Sequence, residues 1–312
     1  MKTINSFWFA TLVPALIGFG LAAFCVRNLQ FYGWSLFLGV PVVVGFLSAF
    51  CLSFRRDVSQ SAAFGAGTVS VLLLGAVIML FAMDGLICLL MALPLAWCFA
   101  IVAAALGRVV GRACGKGARA ALPLLVVLLF PGFVAFDYTS RSAPPVRSVT
   151  TSVVVHAPIS KVWDTVIAFP KIAEPLSGIF CFGIAYPIEA RIEGAGVGAV
   201  RHCVFSTGSF VEPITRWDAP GLLAFDVSSS PPPMKELSPY EQVNAPHLHG
   251  HMVSNHGQFR LVQQGDNVML EGTTWYTHTL APQWYWGPIS DYMIHRIHER
   301  VLNHIKRTAK TN

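Results

Sequence analysis

Residues 148–163 read SVTTSVVVHAPISKVW, and the change of period inside this stretch decides how the second half of the chain folds. Ser148–His156 is rich in Val and Thr, β-branched residues that suit a pleated strand. Ala157-Pro158 stops it, since proline withholds a backbone donor from the ladder. From there the apolar positions fall at Val162, Val166 and Phe169, a helical spacing over Ile159–Phe169 with Ser160 near its start. A strand, a proline stop and a short helix open an α+β domain.

Toward the C-terminus the pattern predicts a second short helix over Pro170–Leu176. Strands follow near 183–193, 198–206, 209–217, 222–228, 252–264 and 267–280. Glycines mark the turns, at Gly194, Gly196 and Gly198, at Gly208, at Gly221 and at Gly265-Asp266. A long helix from Trp284 to Ala309 closes the chain. One insertion, Ser229–Gly250, interrupts the strands. It carries Pro231-Pro232-Pro233 and His247-Leu-His249-Gly-His251, and reads as a lid or rim.

Toward the N-terminus the composition changes. Residues 1–140 hold eight Lys/Arg and three Asp/Glu, whereas residues 141–312 hold fourteen and thirteen. The second half is nearly neutral and has no basic stripe, which excludes a nucleic-acid binder. The first half contains five apolar runs of the length a bilayer requires, near Phe7–Val26, Gly33–Phe54, Ala62–Met83, Gly85–Leu106 and Ala118–Phe136. A polar, proline-bearing stretch within 137–147 separates the halves. The expected division is a membrane helical bundle over 1–140, a linker over 141–147 and a soluble domain over 148–312.

Basic residues orient the bundle, because Lys and Arg stay on the cytoplasmic side. Lys2, Arg55, Arg56, Arg108, Arg112, Lys116 and Arg119 fall on one side, against Arg27 on the other. An odd number of spans then places the soluble domain outside the cytoplasm, in the manner of a bacterial inner-membrane protein. Reading the first span as a signal peptide, cut near Ala22 and Ala23, leaves the domain on the same side. No span has a central ionisable residue, so the bundle reads as an anchor rather than a pathway. Cys25, Cys51, Cys88, Cys98 and Cys114 read as small apolar residues.

The run Val153–Trp163, with its Ala157-Pro158 and its Val162-Trp163, resembles the opening of the START-like or helix-grip superfamily. That superfamily includes polyketide cyclases, the birch-pollen-allergen family and lipid-transfer domains. Gly196–Arg201 resembles its glycine-rich second hairpin, and Glu212–Asp218 its fourth strand. The resemblance covers 148–309 and none of the membrane half. It implies a curved antiparallel sheet gripping the C-terminal helix, with an apolar cavity between them.

Hairpin register assigns side chains to that cavity. A turn at Gly265-Asp266 pairs Leu261 with Leu270, Phe259 with Gly272, Asn255 with Tyr276 and Val253 with His278. The other face pairs Arg260 with Glu271 and Gln258 with Thr273, a polar set. The expected inward residues are therefore Asn255, Phe259, Leu261, Leu270, Tyr276 and His278. The hairpin around Gly196 puts Glu189, Arg191, Glu193 and Arg201 on one face and Ile188, Ala190, Ile192, Val200, His202 and Val204 on the other, with His202 inward. On the last helix Ile294, Val301 and Ile305 form the buried stripe and His298 lies beside it, while Arg300 and His304 turn away.

All ten histidines lie beyond residue 155. Asp291, His295 and His298, at helical spacing, suit a carboxylate-oriented histidine for acid–base work. The plainer reading is a surface pair beside a satisfied core histidine. His247, His249 and His251 alternate as metal ligands do, although a solvated loop is the plainer reading. Cys203 lies opposite about Glu189, far along the strand from Cys181, so both are expected as free thiols.

The sequence has no Gly-x-Ser-x-Gly elbow and no Walker or Rossmann glycines, and neither cofactor nor metal is expected. The leading expectation is a membrane-anchored binder of a lipid or other hydrophobic small molecule. Its ligand-binding residues are Asn255, Phe259, Leu261, Leu270, Tyr276, His278, Ile294 and His298. An alternative is a cyclase- or hydrolase-like enzyme using His298, His278, His202 or Asp291. A further alternative is a structural module with a filled interior. The number of chains in the assembly is left open.

Overall fold

The computed structural model describes residues 2–53, 57–113, 121–140, 143–240, 243 and 245–311. Arg55, Arg56, Cys114, Lys116 and Arg119, used above for orientation and thiol placement, lie outside the described residues. The chain divides into two compact units, the first comprising Met1–Ala143 with Glu236–Pro246 and Leu280–Pro282, and the second the remainder.

In the first unit, α1 (Lys2–Ala23) runs on as a π-helical turn to Leu29. A second π-helical turn, Ser35–Gly39, leads into α2 (Val40–Ser53), and α3 (Gln60–Leu80) and α4 (Leu86–Ala113) follow. Among the described residues four helical stretches are long and apolar enough to cross a membrane: Ser6–Leu29, Ser35–Ser53, Gln60–Leu80 and Leu86–Ala113. Four of the five expected runs are found in this way, and the fifth, Ala118–Phe136, lies partly outside the described residues. The fifth run is two shorter helices, α5 (Ala121–Leu128) and α6 (Phe130–Thr139), with Pro131 in the first turn of α6. Proline has no N–H to bond backward, so one helix ends and another begins there.

Small residues let the helices meet closely. A Cβ on Gly45 would lie 2.1 Å from the Ala100 carbonyl oxygen, and one on Gly107 would lie 2.3 Å from that of Phe46. α2 and α4 therefore touch backbone to backbone, as membrane helices do at glycine. Ser48 Oγ donates to Ser70 Oγ at 2.7 Å, and Ser70 Oγ to the Thr11 carbonyl at 3.1 Å, joining α1, α2 and α3. Asp137, placed by sequence in a polar connector, is instead buried. Its carboxylate accepts from Trp34 N (2.7 Å), Ser35 N (2.8 Å) and Ser35 Oγ (2.5 Å). It caps the start of the second helical stretch from 102 residues away, satisfying amide groups that helix starts leave open. Glu236 does the same for α4, accepting from Ile87 N (3.0 Å) and Cys88 N (3.2 Å).

The second unit is a seven-stranded antiparallel sheet in the order β1-β7-β6-β5-β4-β3-β2. Its strands are β1 (Arg147–Val155), β2 (Pro187–Glu193), β3 (Val200–Phe205), β4 (Gly208–Asp218), β5 (Leu222–Asp226), β6 (Met252–Gln264) and β7 (Asn267–His278). α7 (Ile159–Ile167) and the long α8 (Gln283–Thr311) complete it. The sheet is curved and grips α8. Val162, Trp163 and Val166 of α7 and Val301, Leu302 and Ile305 of α8 pack with Leu223, Phe259, Leu261, Val268 and Leu270 of the sheet into one core.

Two expectations are corrected here. Pro170–Leu176 is an extended connection rather than a helix, and the helical turn comes later, at Gly178–Phe182. That connection covers one face of α8, so His304 is buried there with Nε2 3.1 Å from the Pro170 carbonyl, not turned to solvent. Arg300 Nη2 likewise donates to the Glu174 carbonyl at 2.9 Å.

Candidate ligand-binding cavity

The β6–β7 hairpin turns at Gly265-Asp266 and pairs Leu261 with Leu270, Phe259 with Gly272, Arg260 with Glu271 and Gln258 with Thr273. Beyond Gly257 the register slips at a bulge between Ser254 and His256. Tyr276 therefore faces Ser254 and not Asn255, and His278 faces Met252 and not Val253. An extra residue in one strand is what a bulge adds, and alternation alone does not reveal it.

The β2–β3 hairpin departs further. Ala190 pairs with Cys203 and Ile192 with Arg201, one residue away from the expected pairing, with an irregularity at Pro187–Glu189. A slip of one residue exchanges the two faces of a strand. Arg201, Cys203 and Phe205 thus point inward, and His202 points outward, 3.8 Å from Glu193. His202 is removed from the cavity by this correction.

Between sheet and α8 lies a cavity of about 100 Å³. Its apolar wall is formed by Phe205, Phe210, Phe225, Val227 and Phe259 from the sheet and by Ile294, Ile297, Val301 and Leu302 from α8. Its polar groups are Arg201, Glu212, Ser254, Thr274 and His298, whereas strand alternation turns the His256, Gln258 and Thr273 side chains to the opposite face, where His256 meets Asp226 and Thr273 meets Thr150. Of the residues predicted from sequence, Phe259, Ile294 and His298 line it. Leu261 and Leu270 are buried in the adjoining core, Tyr276 and His278 are buried nearer the start of α8, and Asn255 lies in the β6 bulge.

Three polar groupings serve this unit. In the first, Arg201 forms an ion pair with Glu212, with side chains 1% and 8% exposed, and Arg201 Nε donates to the Ile167 carbonyl at 3.2 Å. The Phe169, Phe225 and Phe259 rings surround the guanidinium at 5.7, 5.8 and 5.3 Å. Burial pushes the Glu212 carboxyl up from its ordinary range while Arg201 pulls it back. Burial also raises the Cys203 thiol to about 12, so it is an inert thiol. Cys181 is exposed, and both cysteines are free.

In the second grouping His298 is held at both ring nitrogens. Nδ1 lies 3.2 Å from Thr151 Oγ1 and Nε2 lies 2.8 Å from Thr274 Oγ1. Burial, and secondarily His295, lowers its pKa to about 4, so the ring is neutral at pH 7. His295 meets the same Thr151 hydroxyl at 2.7 Å and Glu299 at 3.5 Å. In the third, Asp291 pairs with Arg147 and accepts from Tyr276 Oη at 2.7 Å. Although burial opposes it, the Arg147 and Tyr276 hydrogen bonds hold the Asp291 carboxyl below its usual range. The expected alignment of Asp291 with His295 does not occur, because Arg147 at the start of β1 takes the carboxylate first. The His278 ring stacks on Tyr276 at 6.1 Å.

No protein-family model matches the chain, and no curated protein matches it. Among solved structures, it is similar to truncated norcoclaurine synthase from Thalictrum flavum, at 12% identity and a TM-score of 0.35, over 54% of this chain and 96% of that one. It is similar also to the Zhui aromatase/cyclase from Streptomyces sp. R1128, at 17% identity and a TM-score of 0.33, over 53% and 94%. Protein NE0264 from Nitrosomonas europaea matches at 10% identity and a TM-score of 0.34, over 53% and 94%.

Sequence reasoning missed Arg201, Cys203, Glu212 and Thr274 as cavity residues. One signal was present: Arg201 and Glu212 carry opposite charge on strands separated by a tight turn at Gly208, and they pair directly across it.

Proposed function

We propose that the second unit binds one compact, largely hydrophobic molecule between its sheet and α8, and that the first unit holds this site at a membrane. The observation that carries the reading is the cavity between sheet and α8, with aromatic and aliphatic side chains on one wall and a few hydrogen-bonding groups on the other. That combination orients a small ligand while removing its apolar surface from water. The volume of about 100 Å³ lies below the several hundred typical of drug-sized ligands, which favours a compact molecule over a long acyl chain.

Binding is preferred to catalysis because of His298. Both of its ring nitrogens already have hydroxyl partners, so none is left to move a substrate proton. His202 lies on the outer face of β3, and Asp291 is committed to Arg147 and Tyr276.

Membrane anchoring rests on the four long apolar helices. For the side on which the second unit lies, the first unit offers an argument. Arg108 Nε donates to the Val58 carbonyl at 2.8 Å and Arg112 pairs with Asp57 at 2.6 Å, marking the end of the bundle where α2 passes to α3. Asp137 bonds Trp34 and Ser35 at the opposite end. On this reading the α5–α6 pair carries the chain to the face of the bundle opposite the arginines. By the positive-inside rule that face is extracytoplasmic.

The test is to purify the full chain in lipid nanodiscs and identify its small-molecule content by mass spectrometry. A defined compound at about one per chain is expected, reduced in Gly272→Val, whose added side chain enters the cavity beside Leu302 and Phe259. A wild-type chain that captures nothing from a cell extract, and is not stabilised by it, overturns the reading.

A further inference from the structure

The ion pair in the cavity wall is incompletely used. Arg201 Nη1 donates to Glu212 Oε2 and Nε to the Ile167 carbonyl, but Nη2 is buried with no hydrogen-bond partner. Aromatic rings at 5.3 to 5.8 Å surround the guanidinium, and beside them the Cys203 thiol is only a weak acceptor. A buried donor without an acceptor is costly, and native proteins seldom leave one unexplained. Here it belongs to a residue that lines the cavity.

Charge decides what completes it. Arg201 and Glu212 together are neutral, and Glu212 is itself 6% exposed and lines the same cavity. An incoming carboxylate or phosphate would meet Glu212 as well as Arg201, and two like charges in a poorly solvated site repel strongly. An uncharged acceptor satisfies Nη2 without adding net charge.

We propose that Arg201 anchors the carbonyl oxygen of an uncharged, compact ligand, with the apolar body of that ligand against Phe225, Phe259 and Ile297. This rests on the cavity-binding reading above and names the chemical class that reading leaves open.

The full chain in nanodiscs, with ¹⁵N-labelled arginine and ¹³C-labelled isoleucine methyls, is titrated with cyclopentanone and separately with cyclopentanecarboxylate. The ketone is expected to shift both the Ile297 methyl and the Arg201 Nη signals, and to bind about tenfold or more tightly than the carboxylate, which Glu212 repels. Arg201→Lys, which keeps the charge but not the fork, is expected to weaken the ketone by a similar factor. Glu212→Gln leaves Arg201 uncompensated and is expected to reverse the preference toward the carboxylate. If Ile297 responds to the ketone but Arg201 does not, or if the wild type prefers the carboxylate, the anchor is wrong while cavity binding stands. If neither probe reaches Ile297, both readings fall. Should either variant fail to fold, the wild-type Arg201 signal alone still decides.

Discussion

His298 shows how one buried side chain sets a pH dependence. Its imidazole lies between Thr151 and Thr274, with His295 and Glu299 beyond Thr151, and its pKa is lowered to about 4 by burial. In the unfolded chain the same group titrates near 6.5. Between those values the unfolded state binds the extra proton, so stability rises with pH. The contribution is complete above the unfolded pKa and is lost as pH falls through the folded one, with a size of roughly 3 kcal/mol. His298→Gln is expected to remove that component. Unfolding followed through Trp163 and Trp217, whose rings pack edge to face at 5.7 Å, would then vary less between pH 7 and pH 4 than in the wild type. An unchanged pH profile sinks this account of His298. The buried position of this residue beside the α8 stripe was legible from helical spacing. Its two threonine partners were not, since they come from β1 and β7, whose positions against α8 are set by packing and not by local sequence. Arg201 was misread for a similar reason: alternation gives two faces but not which of them is inward, and hydropathy votes against an arginine whose compensation comes from a different strand.

At the scale of elements, regular segments were read well and irregular ones were not. β6 and β7 pair as expected from the Gly265-Asp266 turn out to Gly257, and the readable pattern ends where the bulge begins. α8 buries Ile294, Val301 and Ile305 as its spacing requires. The fifth apolar run is broken into two helices at Pro131, which apolar composition, recording apolarity and not continuity, does not reveal. Among the described glycines of the first unit, Gly45 leaves an added Cβ the least room, 2.1 Å from the Ala100 carbonyl oxygen of α4, where a side chain would meet backbone that has no freedom to yield. Gly45→Leu is expected to force the helices apart and to cost about 3 kcal/mol, at the upper end for overpacking. Gly75 on α3 has nothing within 4 Å of a built Cβ, so Gly75→Leu is its control. Thermal unfolding in nanodiscs should lower the midpoint for the first variant and leave it nearly unchanged for the second. Equal effects would mean that the α2–α4 crossing is not what holds the bundle.

For the whole molecule, the parity of crossings decides which compartment supplies the ligand. Four long helices alone return the chain to the side on which it started, whereas a crossing by α5–α6 delivers the second unit to the other side. The proposed crossing rests on Asp137, whose carboxylate is fixed at the end of the bundle where Trp34 and Ser35 begin the second helical stretch. Moving a buried, multiply hydrogen-bonded carboxylate away from those amides would leave all of them unsatisfied. The consequence can be read from Cys181, which is exposed on the second unit, in a chain whose other cysteines are replaced. Two further reporters are Gln30→Cys, at the connection between α1 and α2, and Ser59→Cys, at the connection between α2 and α3. With a membrane-impermeant maleimide on intact cells, Cys181 and Gln30→Cys are expected to label and Ser59→Cys only after the membrane is opened. If Cys181 follows Ser59→Cys instead, α5–α6 does not cross, and the cavity draws its ligand from the cytoplasm.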